Sequence, residues 1–340
     1  MIELNTHFIF WSAFILLYLI VFGIDFYVTS HRKGGLSVST ALKWAGLWIG
    51  LALAYGVAIL WFYPQNADST TRTATTLFIK FIAGYLTEYS LSIDNLFVFI
   101  MIFSLMGVHP KNQPKLLKLG ILLSIVLRIL FILVGMELVQ RFHWIIYIFG
   151  IVLIWTAYKM AFTKEDEQIH PEHNILYKTA SKLFPVDPDP HASHFFKMIN
   201  GKLHITVLSL VFLVIGSTDV LFAVDSIPAI IGVIKEGAVN ILTLEEENFI
   251  AITSNVFAVM GLISLFFALK GIMGIFRFLK HGVSFILLFI GLKMVLISIH
   301  PIEEFFKNNS WVSLGVIVVT LMVAILTSVF VKQEMEAMEE

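Results

Sequence analysis

Nine apolar stretches, near residues 8–28, 42–62, 77–107, 116–138, 144–162, 205–234, 249–269, 282–299 and 311–331, occupy most of the chain. Each is bounded by charge or proline, and a membrane-spanning helix needs roughly 20 such residues. Backbone inside a bilayer must close its own hydrogen bonds, and a continuous apolar run does so as a helix. The sequence therefore predicts an all-α integral membrane protein with about nine transmembrane helices. Its charged content of 14% lies well below the value of about 25% usual for soluble domains. A net charge of −1 argues against nucleic acid as a partner, because that is bound through clustered cations. Cysteine is absent, which excludes disulfides, thiol redox relays and thiolate metal sites and leaves oxygen or imidazole to hold any metal. Residues Met1 to His7 include Glu3 and no Lys or Arg, so the first stretch reads as a retained span and not as a signal peptide.

Orientation follows from the cations between the stretches. One set of loops holds fifteen Lys and Arg residues, including Arg32, Lys33, Lys111, Lys115, Lys178, Lys182 and Arg277, against four in the alternate set: Arg72, Arg141, Lys235 and Lys307. The remaining four, Lys80, Arg128, Lys159 and Lys293, lie within stretches. The N-terminus is expected outside and the C-terminus in the cytoplasm, which requires an odd number of spans.

The stretches 77–107 and 205–234 are long, roughly 45 Å as helices against a hydrocarbon core of about 30 Å. Tilt absorbs part of the excess, and a broken or unwound helix is expected to absorb more. The same two stretches align as Ser92-Ile-Asp94-Asn-Leu96-Phe97-Val98 against Ser217-Thr-Asp219-Val-Leu221-Phe222-Ala223. The stretches after them align as Leu127-Arg-Ile-Leu130-Phe131 against Leu262-Ile-Ser-Leu265-Phe266, and a looser third match places Gly150 with Lys159-Met160 beside Gly291 with Lys293-Met294. A three-helix unit used twice is implied, inverted in its second copy because three is odd. Inverted repeats typify secondary transporters that bind substrate at the midplane. The chain divides accordingly into two N-terminal helices (1–70), a first repeat (71–162), a cytoplasmic linker (163–204), a second, inverted repeat (205–299) and a C-terminal helix with an acidic tail (300–340).

Carboxylates inside spans are costly and usually functional. Glu88 and Asp94 stand six positions apart in the first long stretch, and Asp219 and Asp225 six apart in the second. If helical, Glu88 and Asp225 are displaced toward the outside by about 9 Å from the deeper pair Asp94 and Asp219. Ser90, Ser92, Asn95, Ser217, Thr218 and Ser226 add oxygen donors, and Pro228 frees a carbonyl one turn before it. Such a set suits Mn²⁺, Mg²⁺ or Ca²⁺. The competing reading makes these carboxylates structural partners of Arg128, Lys159 or Lys293. Asp25, near His31 and Arg32, divides between site and interfacial anchor, and Asn255 between site and helix-packing hydrogen bond.

Two loops carry weaker signals. The linker holds His170, His173, His191, His194 and His204 among Glu165, Asp166, Glu167, Asp187 and Asp189, with Pro185, Pro188 and Pro190; a solvated loop is favoured there over a regulatory metal site. Glu236 and Glu245 to Glu247 give the loop after residue 235 an acidic character. An ordinary solvated loop is again favoured over a cation-gathering surface.

The runs Glu88-Tyr-Ser-Leu-Ser-Ile-Asp94-Asn-Leu-Phe-Val-Phe99 and Asp219-Val-Leu-Phe-Ala-Val-Asp225-Ser-Ile-Pro-Ala229 resemble the two signatures of the TerC/Alx family of bacterial membrane proteins. The likeness extends from Asp25 to Lys293 and includes Gly150 and the Ser-Asn-Val-Phe-Ala run at 254–258. It implies residence in the cell's inner membrane and Mn²⁺ efflux, in a family named for tellurite resistance. It also implies an ion path lined by Glu88, Asp94, Asn95, Asp219, Asp225 and Ser226. Two departures stand out: Gly216 where many relatives have an acid, and Ile263 where many have arginine. Together they read as an intramembrane ion pair lost as a unit, since losing one partner alone strands a buried charge.

The function expected from all this is export of divalent cations, Mn²⁺ foremost, by alternating access, with no permanently bound cofactor and with exchange for protons as one route to coupling. Glu88, Asp94, Asn95, Asp219, Asp225 and Ser226 are the expected metal residues, with Asp25, Ser92, Arg128, Asn255 and Lys293 secondary. Enzymatic activity is not expected. No Gly-x-x-x-x-Gly-Lys-Ser/Thr loop is present, so ATP-driven pumping within the chain is disfavoured. No Gly-x-Gly-Asp pattern precedes Asp94 or Asp219, which disfavours an intramembrane protease. A non-transporting membrane partner in metal homeostasis or tellurite resistance, and an exporter of small organic solutes, are the alternatives.

Overall fold

The apolar stretches become helices. A computed structural model describes residues 2–30, 37–64, 73–162, 174–187, 189, 194–236, 242–271, 278–296 and 299–339. In chain order these form α1 (Ile2–Ser30), α2 (Val38–Phe62), α3 (Thr73–Leu105), α4 (Gln113–Arg141), α5 (Ile145–Phe162), α6 (Ile175–Leu183), β1 (Val186–Asp187), β2 (Phe196–Ile199) and β3 (Lys202–Thr206). They continue with α7 (Val207–Lys235), α8 (Leu244–Met260), α9 (Leu262–Gly271), α10 (Leu279–Val295), α11 (His300–Asn308) and α12 (Ser310–Glu339). Local chemistry sets several starts. Ser37 accepts from the Thr40 amide at the head of α2. Thr243 and Glu246 close a capping box at the head of α8, and a proline sits in the first turn of α4.

Among the described residues, seven helical stretches are long and apolar enough to cross a membrane: 38–62, 73–105, 113–141, 145–162, 207–235, 244–270 and 311–330. Phe8–Ile24 within α1 is a shorter apolar stretch, and α10 has 17 residues. The α8–α9 stretch is apolar on every side, and its membrane-length window is wholly buried, which makes it the centre of the bundle. Helices α3, α4 and α7 pack around it, and α2 covers α9. Outward faces of the surrounding helices carry bare apolar side chains such as Leu53, Val126, Trp155, Tyr158 and Val323. A soluble protein does not expose so many; here they meet lipid.

The broken helices expected over 77–107 and 205–234 are not found there. Helix α3 runs unbroken for 33 residues and α7 for 29. Their hydroxyl groups explain why no unwinding is required. Ser90 donates to the Leu86 carbonyl, Ser217 and Thr218 both donate to Val214, and Ser92 donates to Glu88 one turn back. Polar side chains satisfied on their own helix leave the backbone ladder intact. The break falls instead at Gly261, between α8 and α9.

Helices α5 and α10 cross backbone to backbone. A Cβ placed on Gly150 would lie 2.9 Å from the Gly291 carbonyl, and one on Gly291 would lie 2.8 Å from that of Gly150. Neither carbonyl can move without its helix. Gly150→Ala is expected to lower stability by roughly 1–3 kcal/mol through overpacking. Gly46→Ala, with no atom within 4 Å, is expected to be neutral or slightly stabilising. Thermal unfolding of both variants in detergent checks this, and equal midpoints would contradict the close crossing.

The linker is not simply a solvated loop. Its described part holds α6 and a three-stranded sheet in the order β1-β3-β2. Strands β2 and β3 are antiparallel and pair Phe196 with Ile205 and Met198 with Leu203. Asn200 and Gly201, both at positive φ, make the two-residue turn that an Asn-Gly pair favours in hairpins. Strand β3 passes directly into α7. Lys197 reaches the Asp187 carboxylate at 2.8 Å, and that hydrogen bond holds the Asp187 carboxyl below the usual carboxylate range. Of the five linker histidines, His170, His173 and His191 lie outside the described residues.

Candidate functional site

Glu88, 1% exposed, sits where α3, α4, α7 and α8 converge. Their approach is close. One turn before Glu88, a Cβ on Gly84 would press on Ile230 of α7 at 2.7 Å and Ser254 of α8 at 2.8 Å. Three groups hold the Glu88 carboxylate. Arg128 of α4 makes an ion pair with Oε1, Ser92 donates to the same oxygen at 3.0 Å, and Asn255 of α8 donates to Oε2 at 2.8 Å. The guanidinium is itself steered, because its Nε donates to Ser124 Oγ, one turn back on α4, at 3.1 Å.

Asp219 of α7 is also buried, and Arg128 is the charge that acts on it. Its Oδ2 has no hydrogen-bond partner. Asn255 Oδ1 and Ser226 Oγ are likewise buried and unpartnered. Buried oxygen atoms are seldom left so, because each forfeits its hydration without replacement. Oxygens of this kind are what a hard cation takes as ligands. Among the described residues, however, no three His, Asp or Glu side chains stand close enough together to hold one ion.

The grouping is narrower than the acidic layers expected from spacing. Glu88 is held by Arg128, Ser92 and Asn255, with Ser124 steering the arginine, and Asp219 lies within the electrostatic reach of the same guanidinium. Asp225 stands apart and half-buried, accepting from Thr156 of α5 at 2.7 Å, with Lys159 the charge acting on it. Asn95 is partly exposed. The side chains of Asp25 and Asp94 lie outside the described ones. Ser124 was within reach of sequence reading, as the residue one turn before Arg128. Thr156 and Asn174, which donates to Ser217 at 2.6 Å, gave no such signal, since their contacts cross between distant elements.

Lys293 belongs elsewhere, in a second buried cluster. It pairs with Glu236 at the end of α7, and Ser313 of α12 donates to Glu236 at 2.5 Å. Lys80 of α3 lies 3.6 Å from the same carboxylate and donates to the Val233 carbonyl at 2.8 Å. Beside them Lys235 meets Glu247 at 2.5 Å. The expectation of a solvated acidic loop is therefore corrected for three residues. Glu236, Glu246 and Glu247 are 4%, 5% and 5% exposed, held by lysines or by the α8 cap.

The chain that carries this arrangement, a buried Glu88 ion-paired to Arg128 between long helices, has relatives. Residues 73–336 match the integral membrane protein TerC family. The chain belongs to that family. An uncharacterized membrane protein of Myxococcus xanthus is 36% identical over 319 residues, 94% of this chain and 91% of its own. The putative membrane-bound redox modulator Alx of Escherichia coli K12 is 34% identical over 308 residues, 90% of each chain. The chloroplastic thylakoid membrane protein TERC of Arabidopsis thaliana is 33% identical over 309 residues, 88% of this chain and 73% of its own. No solved structure matches. This TerC protein thus shares nearly its full length with bacterial and chloroplast relatives, including α3, α4, α7 and α8.

Proposed function

We propose that this TerC protein is a secondary transporter that exports divalent cations, Mn²⁺ foremost, through the Glu88–Arg128–Asp219 site. The observation that carries the reading is the guanidinium of Arg128, ion-paired to Glu88 and acting electrostatically on Asp219. A buried carboxylate such as Glu88 could not stay ionised in an empty site without a cation. Arg128 supplies that cation. An arriving divalent ion competes for the same carboxylates, displaces the guanidinium, and takes the unpartnered oxygens of Asp219 and Asn255. Release returns Arg128 to Glu88. Asp94, Asn95 and Asp225 extend the path along α3 and α7, and protons are the coupling ion this reading favours.

The transporter has nine spans, with α1 and α10 added to the seven long stretches, its N-terminus outside and its C-terminus in the cytoplasm of a cell membrane. It is built on an inverted repeat, α3–α5 and α7–α10. Packing supports that symmetry: α3 meets α8 as α4 meets α7, α5 meets α7 as α10 meets α3, and α5 meets α10 at the paired glycines.

A non-transporting role is the second reading, favoured by the relatives named as redox modulators. With no cysteine in this chain, thiol exchange is unavailable to it. The readings separate in cells lacking their own Mn²⁺ exporters, at matched membrane expression. Wild type is expected to lower cellular manganese and protect against added Mn²⁺, and Asp219→Asn to do neither. Unchanged manganese with wild type, or protection by Asp219→Asn, moves the non-transporting reading to the front.

A further inference from the structure

The hairpin that precedes α7 has two unlike faces. Residues paired across an antiparallel ladder point to the same side, so the register places Phe196, Met198, Leu203 and Ile205 on one face and Lys197, Ile199, Lys202 and His204 on the other. Ile205 is buried, but Phe196, Met198 and Leu203 are 59%, 65% and 43% exposed. In water, three large apolar side chains on one side of a rigid two-stranded ribbon would be a liability. The neighbouring helix α6 has the same character. Ile175 and Leu183 are 79% and 70% exposed, and Lys178 and Lys182 lie beside them, one turn apart.

Position says what covers these side chains. Strand β3 ends at Thr206 and α7, a membrane-length helix, begins at Val207, so the ribbon stands at the point where the chain meets the bilayer. Helix α6 packs along α7, and the Lys115 ammonium of α4 lies 4.9 Å from the Phe195 ring centre. The ribbon is therefore tied to two spans and continues their lipid-facing surface. Its charge is complementary to a lipid surface as well: α6 carries Lys178 and Lys182 and no acid, whereas Lys197 and Lys202 lie on the hairpin's other face, Lys197 bound to Asp187 of β1.

We propose that α6 and the β2–β3 hairpin form a membrane-surface anchor, with Phe196, Met198 and Leu203 set into an anionic bilayer at the headgroup–acyl boundary and the α6 lysines, Lys178 and Lys182, turned toward lipid phosphates. Basic amphipathic elements bind bilayers in this way, through apolar burial together with attraction to anionic lipid. The anchor fixes the start of α7, and so the height of Asp219, against the membrane plane. It requires no transport activity and stands whether or not the export reading does.

The absence of cysteine makes the test clean, because a single introduced thiol is the only one to label. Met198→Cys and Lys197→Cys, each carrying a nitroxide, are compared in nanodiscs containing anionic lipid. Accessibility to oxygen, which concentrates in acyl chains, is set against accessibility to a water-soluble nickel chelate. The oxygen-to-nickel ratio is expected to be several-fold higher at Met198 than at Lys197, and this contrast is expected to shrink in purely zwitterionic nanodiscs. Equal ratios at the two positions overturn the anchor. So does spin–spin broadening at Met198 that requires two labelled copies, which would make the face a protein interface. A contrast unchanged by lipid charge overturns the part given to the lysines.

Discussion

Arg128→Gln is expected to lower stability by about 3–5 kcal/mol, the usual result of removing one partner of a buried ion pair. The loss comes less from the missing attraction than from the Glu88 carboxylate left behind, 1% exposed and supported among the described residues by the neutral donors Ser92 and Asn255. Removing the second charge should therefore recover much of it. The double variant Glu88→Gln, Arg128→Gln is expected to unfold at higher temperature than Arg128→Gln alone, because two neutral amides can bond to each other and to Ser92 and Ser124. A double-mutant cycle by thermal unfolding in detergent measures the coupling. Additive single effects would show that the two side chains do not interact, and with that the mechanism in which Arg128 stands in for the metal would fall.

Glu236→Gln is expected to be comparably severe, about 3–5 kcal/mol, for the converse reason. Two buried ammonium groups, Lys80 and Lys293, share this one carboxylate, and its loss leaves both without it. The cluster also ties the ends of α3, α7, α10 and α12, so the damage should spread beyond α7. The size of the effect is diagnostic. A glutamate in a solvated loop, as the sequence alone suggests for Glu236, changes stability by within about 0.5 kcal/mol when replaced. Lys80→Met in the Glu236→Gln background is expected to restore part of the loss. No restoration would show that the lysine and the glutamate do not act as a pair.

Which features could be read from sequence, and which could not, follows from how far apart the interacting residues lie. The spans were legible because a helix in lipid needs only a continuous apolar run, and α2, α4, α5 and α7 lie where those runs lie. The buried acids Glu88 and Asp219 are legible as candidates because aspartate and glutamate are conspicuous inside such runs. Their partners are not. Arg128 could be named as a cation within a span, but its choice of Glu88 depends on how α4 meets α3, and Asn255 reaches Glu88 across 167 positions of chain. The long helices stay unbroken for a local reason that span length alone does not show: their hydroxyls bond one turn back on the same helix, so the polar content does not call for unwinding. Glu236 and Glu247 differ from a solvated loop for a distant one, since lysines on other helices pair with them in the interior. The hairpin was in principle readable. Asn200-Gly201 between two short alternating segments is a strong hairpin signal, obscured by the prolines that mark the surrounding linker.

The most direct measurement uses purified protein in liposomes loaded with a dye that responds to Mn²⁺, comparing wild type, Asp219→Asn and protein-free vesicles. Circular dichroism and a thermal midpoint establish that the variant is folded. Wild type is expected to carry Mn²⁺ across the bilayer, and Asp219→Asn to fall to the level of empty vesicles while retaining its fold. Wild type no faster than empty vesicles, or Asp219→Asn as fast as wild type, would contradict export through the Glu88–Arg128–Asp219 site.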